Sequence, residues 1–154
     1  LKSIEGNFEH PEVNELLTKH FIELRAASPQ GSTHVLDIPG LKDDSIKFWS
    51  LWEKEQLLGC GALKFLDKEH GEFKSIRIHD NFRKKGNGIK VINHLIEEAK
   101  KLNIKRLSIE TGAGMFFEPA RKLFYNSGFK PCKPFAHYKK DINSLYLTKL
   151  IDNT

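Results

Sequence analysis

The chain has 154 residues, which suits one compact domain, and its 29% charged and 39% hydrophobic residues are an ordinary balance for a globular protein. No apolar run approaches the roughly 18 residues of a membrane-spanning helix, and Cys60 and Cys132 are too few for a disulfide framework. The first residues show no apolar leader. We therefore expect a single domain over residues 1–154, with buried, reduced thiols, a cytoplasmic location and no membrane partner.

The net charge of +5 is unevenly distributed along the chain. Residues 1–70 contain 8 Lys/Arg and 12 Asp/Glu, whereas residues 71–154 contain 17 and 8. A basic second half indicates an anionic partner such as nucleic acid or a phosphorylated cofactor, or else a solvated lysine-rich surface. A nucleic-acid site also needs aromatic residues for base stacking, and only Phe82 lies near Lys84 and Lys85. We therefore predict no nucleic-acid partner.

The first part of the chain predicts a strand, a helix and three more strands. Leu1–Glu5 is a short strand candidate, and helical spacing of apolar residues predicts a helix over Pro11–Ala27. The stretch from Ser28 to Ser45 is predicted as a loop, with a turn at Pro39-Gly40. Short polar turns then separate three strands and favour an antiparallel meander. These strands are Ile46–Trp52, Leu57–Leu66 and Glu72–Ile78.

The hydrophobic period then changes from two to 3.6 residues, which predicts helices that alternate with strands. Gly128 would stop the second of these helices, as glycine commonly does just past a helix end. The resulting order of elements predicts an α/β (α+β) fold, with a mixed, mostly antiparallel central sheet flanked by helices. The predicted elements are helix Gly88–Leu102, strand Arg106–Thr111, helix Pro119–Ser127, and strands Phe129–Phe135 and Ser144–Leu150.

The segment Arg83-Lys84-Lys85-Gly86-Asn87-Gly88 lies between a predicted strand and a predicted helix. Its two glycines let the backbone approach a ligand, and the helix presents free N–H groups and the positive end of its dipole. This combination predicts phosphate binding, although a Gly-x-Gly alone also fits an ordinary basic turn. It is neither a dinucleotide fingerprint, which needs glycine at Val91, nor a Walker A loop, which needs Lys-Ser/Thr directly after Gly88.

The same segment matches the pattern Arg/Gln-x-x-Gly-x-Gly/Ala through Arg83, Gly86 and Gly88. The strand Leu107-Ser108-Ile109-Glu110 and the stretch Ala120-x-x-Leu123-Phe124-x-x-x-Gly128-Phe129 follow in the expected order. In this combination the chain resembles the GNAT superfamily of N-acetyltransferases over about residues 57–150. The resemblance implies a GNAT-like fold, acetyl-CoA as co-substrate without a metal, and a primary amine of a small molecule or peptide as acceptor.

The resemblance also implies roles for individual residues. One strand segment would pair its backbone with the pantetheine arm of the cofactor and polarise the acetyl carbonyl. The glycine loop would hold the pyrophosphate through its backbone N–H groups. The predicted cofactor-binding residues are Ile76, Arg77, Ile78, Arg83, Lys84, Lys85, Gly86, Asn87, Gly88 and Ile89.

Acetylation of an amine needs a general base, because a lysine-like amine has a pKa of about 10.4 and is mostly protonated at pH 7. Glu72 lies eleven residues before Arg83, in the region where some family members carry a glutamate base. We predict Glu72 as the base, with His79, Glu110 and water as alternatives.

The departing thiolate is often protonated by a tyrosine in this family. Aligned on Gly128-Phe129, the place of that tyrosine is held by Phe124, and Tyr125 is its neighbour. Tyr125 is the candidate acid; a packing role is the alternative, because successive helical side chains point in different directions. Because Phe124 replaces the tyrosine of the family pattern, the alternative remains that the protein is a non-catalytic module that binds or senses coenzyme A.

The acceptor leaves a weaker signal than the cofactor. The loops His34–Ser45 and Ala136–Asn143 are predicted to form the walls of its site, with His34, His137 and Tyr138 as candidate contacts. The sequence leaves the identity of the amine open, and also the formation of a homodimer.

Overall fold

The computed structural model describes residues 1–29 and 36–151, so the predicted acceptor contact His34 lies outside the described residues. Within them, seven strands form one sheet in the order β1-β2-β3-β4-β5-β7-β6. All neighbouring strands pair antiparallel except β4 and β5, which are parallel. The strands are β1 (Lys2–Glu5), β2 (Ile46–Glu53), β3 (Gln56–Phe65), β4 (His70–Ile78), β5 (Arg106–Gly112), β6 (Lys130–Pro131) and β7 (Ser144–Leu150).

Four helices accompany the sheet within residues 1–29 and 36–151, and the predicted mixed, mostly antiparallel arrangement is confirmed. Two 3-10 turns, Asp80–Phe82 and Met115–Phe117, precede the last two helices. The helices are α1 (Pro11–Ala27), α2 (Ile38–Leu41), α3 (Asn87–Lys101) and α4 (Glu118–Asn126). None of the helices in the described ranges is long and apolar enough to cross a membrane.

The helices cover both faces of the sheet. Along β3, side chains alternate between two buried clusters, so Leu57 packs with α1 and α2 whereas Leu58 packs with α3 and α4. Residues opposite each other in an antiparallel pair share a face. Lys74 lies opposite Ala62, and Arg77 lies opposite Cys60. Both side chains therefore lie on the face that α1 covers.

The parallel pair of strands separates near its middle. β4 and β5 are paired only from His70 to Glu72, with Glu72 opposite Ser108. Beyond Glu72, within the described residues, β4 keeps its partner β3 and has no strand partner on the other side. The sheet is therefore split between the second half of β4 and the second half of β5.

Two predicted elements differ from the structure. The predicted loop before β2 contains helix α2, because Asp37 caps it by accepting from the Gly40 N–H at 2.9 Å and Pro39 suits a first turn. The predicted strand Phe129–Phe135 is reduced to Lys130–Pro131, since proline cannot donate to a strand ladder and Pro134 follows closely.

The two cysteines are free thiols. Cys60 is fully buried, and burial raises the pKa of its thiol to about 12, which keeps it protonated and unreactive. Cys132 is only half-buried, contrary to the prediction that both thiols are buried.

Candidate active site

A cavity of about 590 Å³ opens where β4 and β5 separate. One wall comes from α1 and the residues that follow it, including His20 and Leu24. The opposite wall comes from the end of β5 and from α4, including Phe124. The unpaired half of β4 runs between these walls, and the glycine loop closes one end. The structure thus brings the predicted base, strand segment and glycine loop to one cavity.

The glycine loop enters α3 through left-handed backbone conformations. Gly86 is the N-cap of α3 with φ of +80°, and Lys84 has φ of +61°. In the part of the chain that the structure describes, no heavy atom lies within 4 Å of the position that a Cβ on Gly86 would take. Gly86 also supplies no side chain to cap the N–H groups of the first turn. The loop therefore presents these donors beside open space at the positive end of the helix dipole.

Eight of the ten predicted cofactor residues line the cavity, and two do not. Lys85 is exposed and lies outside the cavity wall. Asn87 turns its side chain inward, where the Nδ2 donates to the Phe82 carbonyl at 3.1 Å. Asn87 therefore fixes the loop to the preceding turn and does not contact the cavity with its side chain.

The structure gives a reason for glycine at position 88 that the sequence did not reveal. A Cβ at this position would lie 2.9 Å from Leu123 Cδ2, so a side chain would press on α4. Gly88 lines the cavity, but its missing side chain is explained by the close packing of α3 against α4. A substitution at Gly88 would therefore disturb helix packing as well as the phosphate loop.

The two predicted arginines are already paired within the protein. Arg77 is buried and contacts Glu23 at 2.6 Å and Asp80 at 3.4 Å. Arg83 contacts Asp80 at 3.2 Å, and its Nε donates to the Ile78 carbonyl at 3.3 Å. The Arg77 guanidinium hydrogen-bonds Glu23 and holds the pKa of that carboxyl below its usual value. These two arginines thus stabilise the end of β4 and the glycine loop through contacts within the protein.

The unpaired part of β4 contains a bulge. The register with β3 shifts between Cys60 and Ala62, and Ser75 has φ of +54°. A non-glycine residue in this region is under strain that the surrounding structure must offset, and such strain is often found at functional sites. The bulge interrupts the ladder beside Ile76, in the segment predicted to polarise the acetyl carbonyl.

Glu72 is buried on β4, at the point where the two strands separate, and it lines the cavity. Its Oε2 accepts a hydrogen bond from the Tyr138 hydroxyl at 2.6 Å and one from Lys74 Nζ at 3.2 Å. Lys74 Nζ also lies 3.1 Å from the Tyr138 hydroxyl. The three groups form a compact triangle, which we call the Glu72 triad.

Tyr138 remains a hydrogen-bond donor to Glu72. Burial and the neighbouring Glu72 carboxylate raise the pKa of the Tyr138 phenol well above its ordinary value, so the phenol stays protonated. The loop that carries Tyr138 was predicted to form a wall of the acceptor site. In the structure the Tyr138 side chain contacts Glu72 on β4, so this loop lies beside the carboxylate that was predicted as the base.

The alternative bases differ in their positions. His79 does not line the cavity, and its Nδ1 accepts from the Asn81 backbone N–H at 3.2 Å. Glu110 does line the cavity and accepts from the Ser144 hydroxyl at 2.7 Å. Geometry therefore leaves Glu110 as the alternative carboxylate and removes His79.

The assignment of Tyr125 as an acid does not fit the structure. Tyr125 is 42% exposed and does not line the cavity. Phe124 does line it and is buried, with its ring 5.4 Å from the Phe129 ring between centroids. The helix is oriented as the alignment on Gly128-Phe129 implied, so Tyr125 faces outward, away from the cavity.

We expect Tyr125→Phe to retain turnover within a few-fold of the wild type, because the lost hydroxyl lies outside the cavity. A positioned acid would contribute about 10²–10⁴-fold. The melting temperature should change little, since the side chain is partly exposed. The matched variant Phe124→Tyr places a hydroxyl at the cavity wall and should raise turnover if thiolate departure limits the rate. A hundredfold loss in a folded Tyr125→Phe protein would restore Tyr125 as the acid.

Lys74 and His20 are two of the cavity-wall side chains that the sequence did not single out. Lys74 lies two residues after Glu72, and strand alternation alone would have placed both on one face. His20 stands among the apolar residues of α1 at helical spacing, and this break in the apolar stripe was the available signal.

The chain is similar to several known proteins. The sequence profile described as the acetyltransferase (GNAT) family matches residues 10–129. The uncharacterized N-acetyltransferase YsnE of Bacillus subtilis (strain 168) is 46% identical over 138 residues, which cover 90% of this chain and 91% of YsnE. The uncharacterized N-acetyltransferase YedL of Escherichia coli (strain K12) is 40% identical over 139 residues, covering 90% of this chain and 87% of YedL.

Solved structures share the fold at lower sequence identity. A Klebsiella pneumoniae protein superposes with a TM-score of 0.76 at 19% identity, covering 97% of this chain and 96% of its own. The Campylobacter jejuni N-acetyltransferase PseH in complex with acetyl coenzyme A superposes with a TM-score of 0.66 at 21% identity, covering 98% and 100%. At these identities the comparison shows the fold alone.

Proposed function

The chain belongs to the acetyltransferase (GNAT) family and is therefore an acyltransferase, and from this premise we propose that it moves an acetyl group from acetyl-CoA to a primary amine of a small molecule or peptide. The acetyl group passes directly to the amine while both substrates are bound. The observation that carries the proposal is the buried Glu72 carboxylate at the point where β4 and β5 separate, facing the same cavity as the glycine loop.

The residues present fit a phosphorylated cofactor. The N–H groups at the start of α3 have no side-chain cap, and Gly86 leaves open space where a side chain would stand. Lys84 lines the cavity beside them and adds a positive charge. We infer that this loop holds the pyrophosphate of acetyl-CoA, and that the unpaired edge of β4 around Ile76 and Ile78 holds the pantetheine arm by backbone hydrogen bonds.

Glu72 is the group that we assign as general base. It is buried, which strengthens electrostatic interactions, and it lines the cavity close to the bulge at Ser75. The Glu72 triad holds the carboxylate in one position through Tyr138 and Lys74. In this role Glu72 takes the proton of the attacking amine, directly or through water, and backbone N–H groups of the β4 edge stabilise the negative charge that develops on the acetyl oxygen.

No side chain is assigned as the acid that protonates the thiolate. The family's tyrosine position holds Phe124, which lines the cavity, and Tyr125 faces outward. Phe124 also supports a second candidate function, a module of the same fold that binds coenzyme A without turnover. A thiol-release assay on a panel of amines, with mass spectrometry of the product, distinguishes the two. Binding of acetyl-CoA without any acetylated product would favour the non-catalytic module.

We expect acetyl-CoA to bind and to stabilise the fold. Ligand at 100 times its dissociation constant adds about 2.7 kcal/mol to the free energy of unfolding, because it binds only the folded state. The measurement is a thermal melt with and without acetyl-CoA, together with titration calorimetry. S-Acetylpantetheine, which lacks the pyrophosphate and the nucleotide, serves as the control and should stabilise less. No binding at millimolar acetyl-CoA would contradict the proposed cofactor.

A further inference from the structure

Unpaired polar atoms are concentrated in one part of the cavity wall. Among the described residues, buried polar atoms without a hydrogen-bond partner include both ring nitrogens of His20, the Oγ of Ser75 and the Nε of Arg77. All three residues line the cavity. A buried polar group without a partner costs about 1–3 kcal/mol, so natural proteins seldom retain one without a reason. Three residues with such atoms in one cavity wall indicate a ligand that supplies the missing hydrogen-bond partners.

Of these three residues, His20 gives the strongest indication of a ligand. Only 4% of its surface is exposed, and it interrupts the apolar face of α1 between Leu17 and Phe21. Burial, followed by the nearby positive charge of Arg77, lowers the pKa of the imidazole to about 4. The ring is therefore neutral near pH 7, with one nitrogen as a donor and the other as an acceptor. An apolar residue of similar size would fill this position without leaving polar atoms unpaired.

The position of His20 points to the acceptor and not to the cofactor. His20 belongs to α1, and its neighbour Arg77 lies on the face of the sheet that α1 covers. The glycine loop opens into α3, which packs on the other face. The positive charges near His20 are those of Arg77 and Arg83, and both are already balanced, Arg77 by Glu23 and Asp80 and Arg83 by Asp80, so a second anion gains little there. The group that fits beside His20 is neutral and able to hydrogen-bond.

We propose that His20 is a specificity-determining residue that binds a hydroxyl or carboxamide group of the acceptor, next to the amine that is acetylated. Because its two ring nitrogens point in different directions, one of them would donate to such a group or accept from it. Ser75 and Arg77, whose Oγ and Nε have no hydrogen-bond partner among the described residues, line the same cavity. This acceptor subsite rests on the proposed function, because it presumes that an amine enters the cavity from the α1 side. It defines the substrate class as amines with a neutral polar group.

The test uses matched pairs of amines that differ in one polar group. 3-Aminopropan-1-ol is compared with butylamine, and glycinamide with isobutylamine, so that size is kept and hydrogen bonding is lost. We expect the wild type to favour the polar member of each pair by about tenfold or more in kcat/KM calculated for the neutral form of each amine, because a site built to hydrogen-bond rejects an analogue that cannot. His20→Leu should remove this preference, mainly through a higher KM for the polar amine.

Measurements on three variants separate this role from a structural one. His20→Leu should bind acetyl-CoA as the wild type does and should melt at the same temperature or higher, since an unpaired buried polar group is lost. His20→Gln keeps one donor and one acceptor and should recover part of the preference. His94 in α3 serves as the matched control: its Nε2 is also buried without a hydrogen bond, but it lies outside the cavity wall. His94→Leu should keep the preference.

The outcomes are distinguishable. A His20→Leu protein that keeps the wild-type preference and KM would overturn the subsite while leaving amine acetylation intact. So would a wild type without any preference, a loss of acetyl-CoA affinity in His20→Leu, or a clearly lower melting temperature of that variant. If the wild type binds acetyl-CoA but acetylates no amine of the panel, the proposed function itself fails, and the subsite with it.

Discussion

Glu72→Gln should lower kcat by about 10²–10⁴-fold, the usual contribution of a positioned general base. The substitution keeps the size of the side chain and an oxygen that can accept from Tyr138, but it removes the ability to take a proton. Affinity for acetyl-CoA should stay nearly unchanged, because the base acts on the amine in the transition state. Steady-state kinetics and calorimetry on the folded variant give both quantities.

The pH profile provides a second readout for Glu72. Without a base, only amine that is already neutral can react, so residual turnover should rise about tenfold per pH unit below the amine pKa. The wild type should depend less steeply on pH, because its base can take the proton of a bound ammonium group. A Glu72→Gln profile of unchanged shape and height would move the role to Glu110, which lines the same cavity, or to water.

Loss of the carboxylate also affects stability, and this effect needs its own control. Lys74 has a side chain only 10% exposed, with Glu72 as its ion-pair partner at 3.2 Å. Removing one member of a buried pair leaves an uncompensated charge and destabilises the fold. The double variant Glu72→Gln/Lys74→Met should therefore melt at a higher temperature than Glu72→Gln while remaining equally inactive. Recovery of turnover in the double variant would contradict a role for Glu72 as base.

Gly86→Val should weaken binding of acetyl-CoA by about 5–30-fold. A side chain makes the left-handed conformation of Gly86 unfavourable by roughly 1–2 kcal/mol, so the free loop relaxes and binding must restore it. The φ of +80° at Gly86 is the observation behind this expectation. Calorimetric titration of the variant with acetyl-CoA measures the effect.

Gly6 offers a matched control for the backbone strain. It has φ of +84°, no heavy atom lies within 4 Å of a Cβ placed there, and it is outside the cavity wall. Gly6→Val should lower the melting temperature without changing the affinity for acetyl-CoA. Gly86→Asn should bind better than Gly86→Val, because asparagine tolerates the left-handed region. Equal affinity of wild type and Gly86→Val would show that this loop does not hold the pyrophosphate.

Local features of the chain were predictable from the sequence because local chemistry determines them. Apolar periodicity gave α1 with both of its ends, and the strands β2, β3 and β7 to within one or two residues. The loop at Gly86 was recognisable because a left-handed helix entry favours glycine. The alignment on Gly128-Phe129 also placed Phe124 correctly at the inner side of α4.

Other features depend on contacts between distant parts of the chain, which no local pattern encodes. The contact of Glu72 with Tyr138 joins residues that are 66 apart in sequence. Position 88 requires glycine because the Leu123 side chain of another helix lies against it. The cavity itself exists because β4 and β5 stop pairing after Glu72 and Ser108. Sequence thus determined the elements, the phosphate loop and the candidate base. Only the tertiary structure decided which side chains surround that base, and it left the two nitrogens of His20 without a hydrogen-bond partner among the described residues. The physical reason is that burial and partner choice arise when separate elements pack together.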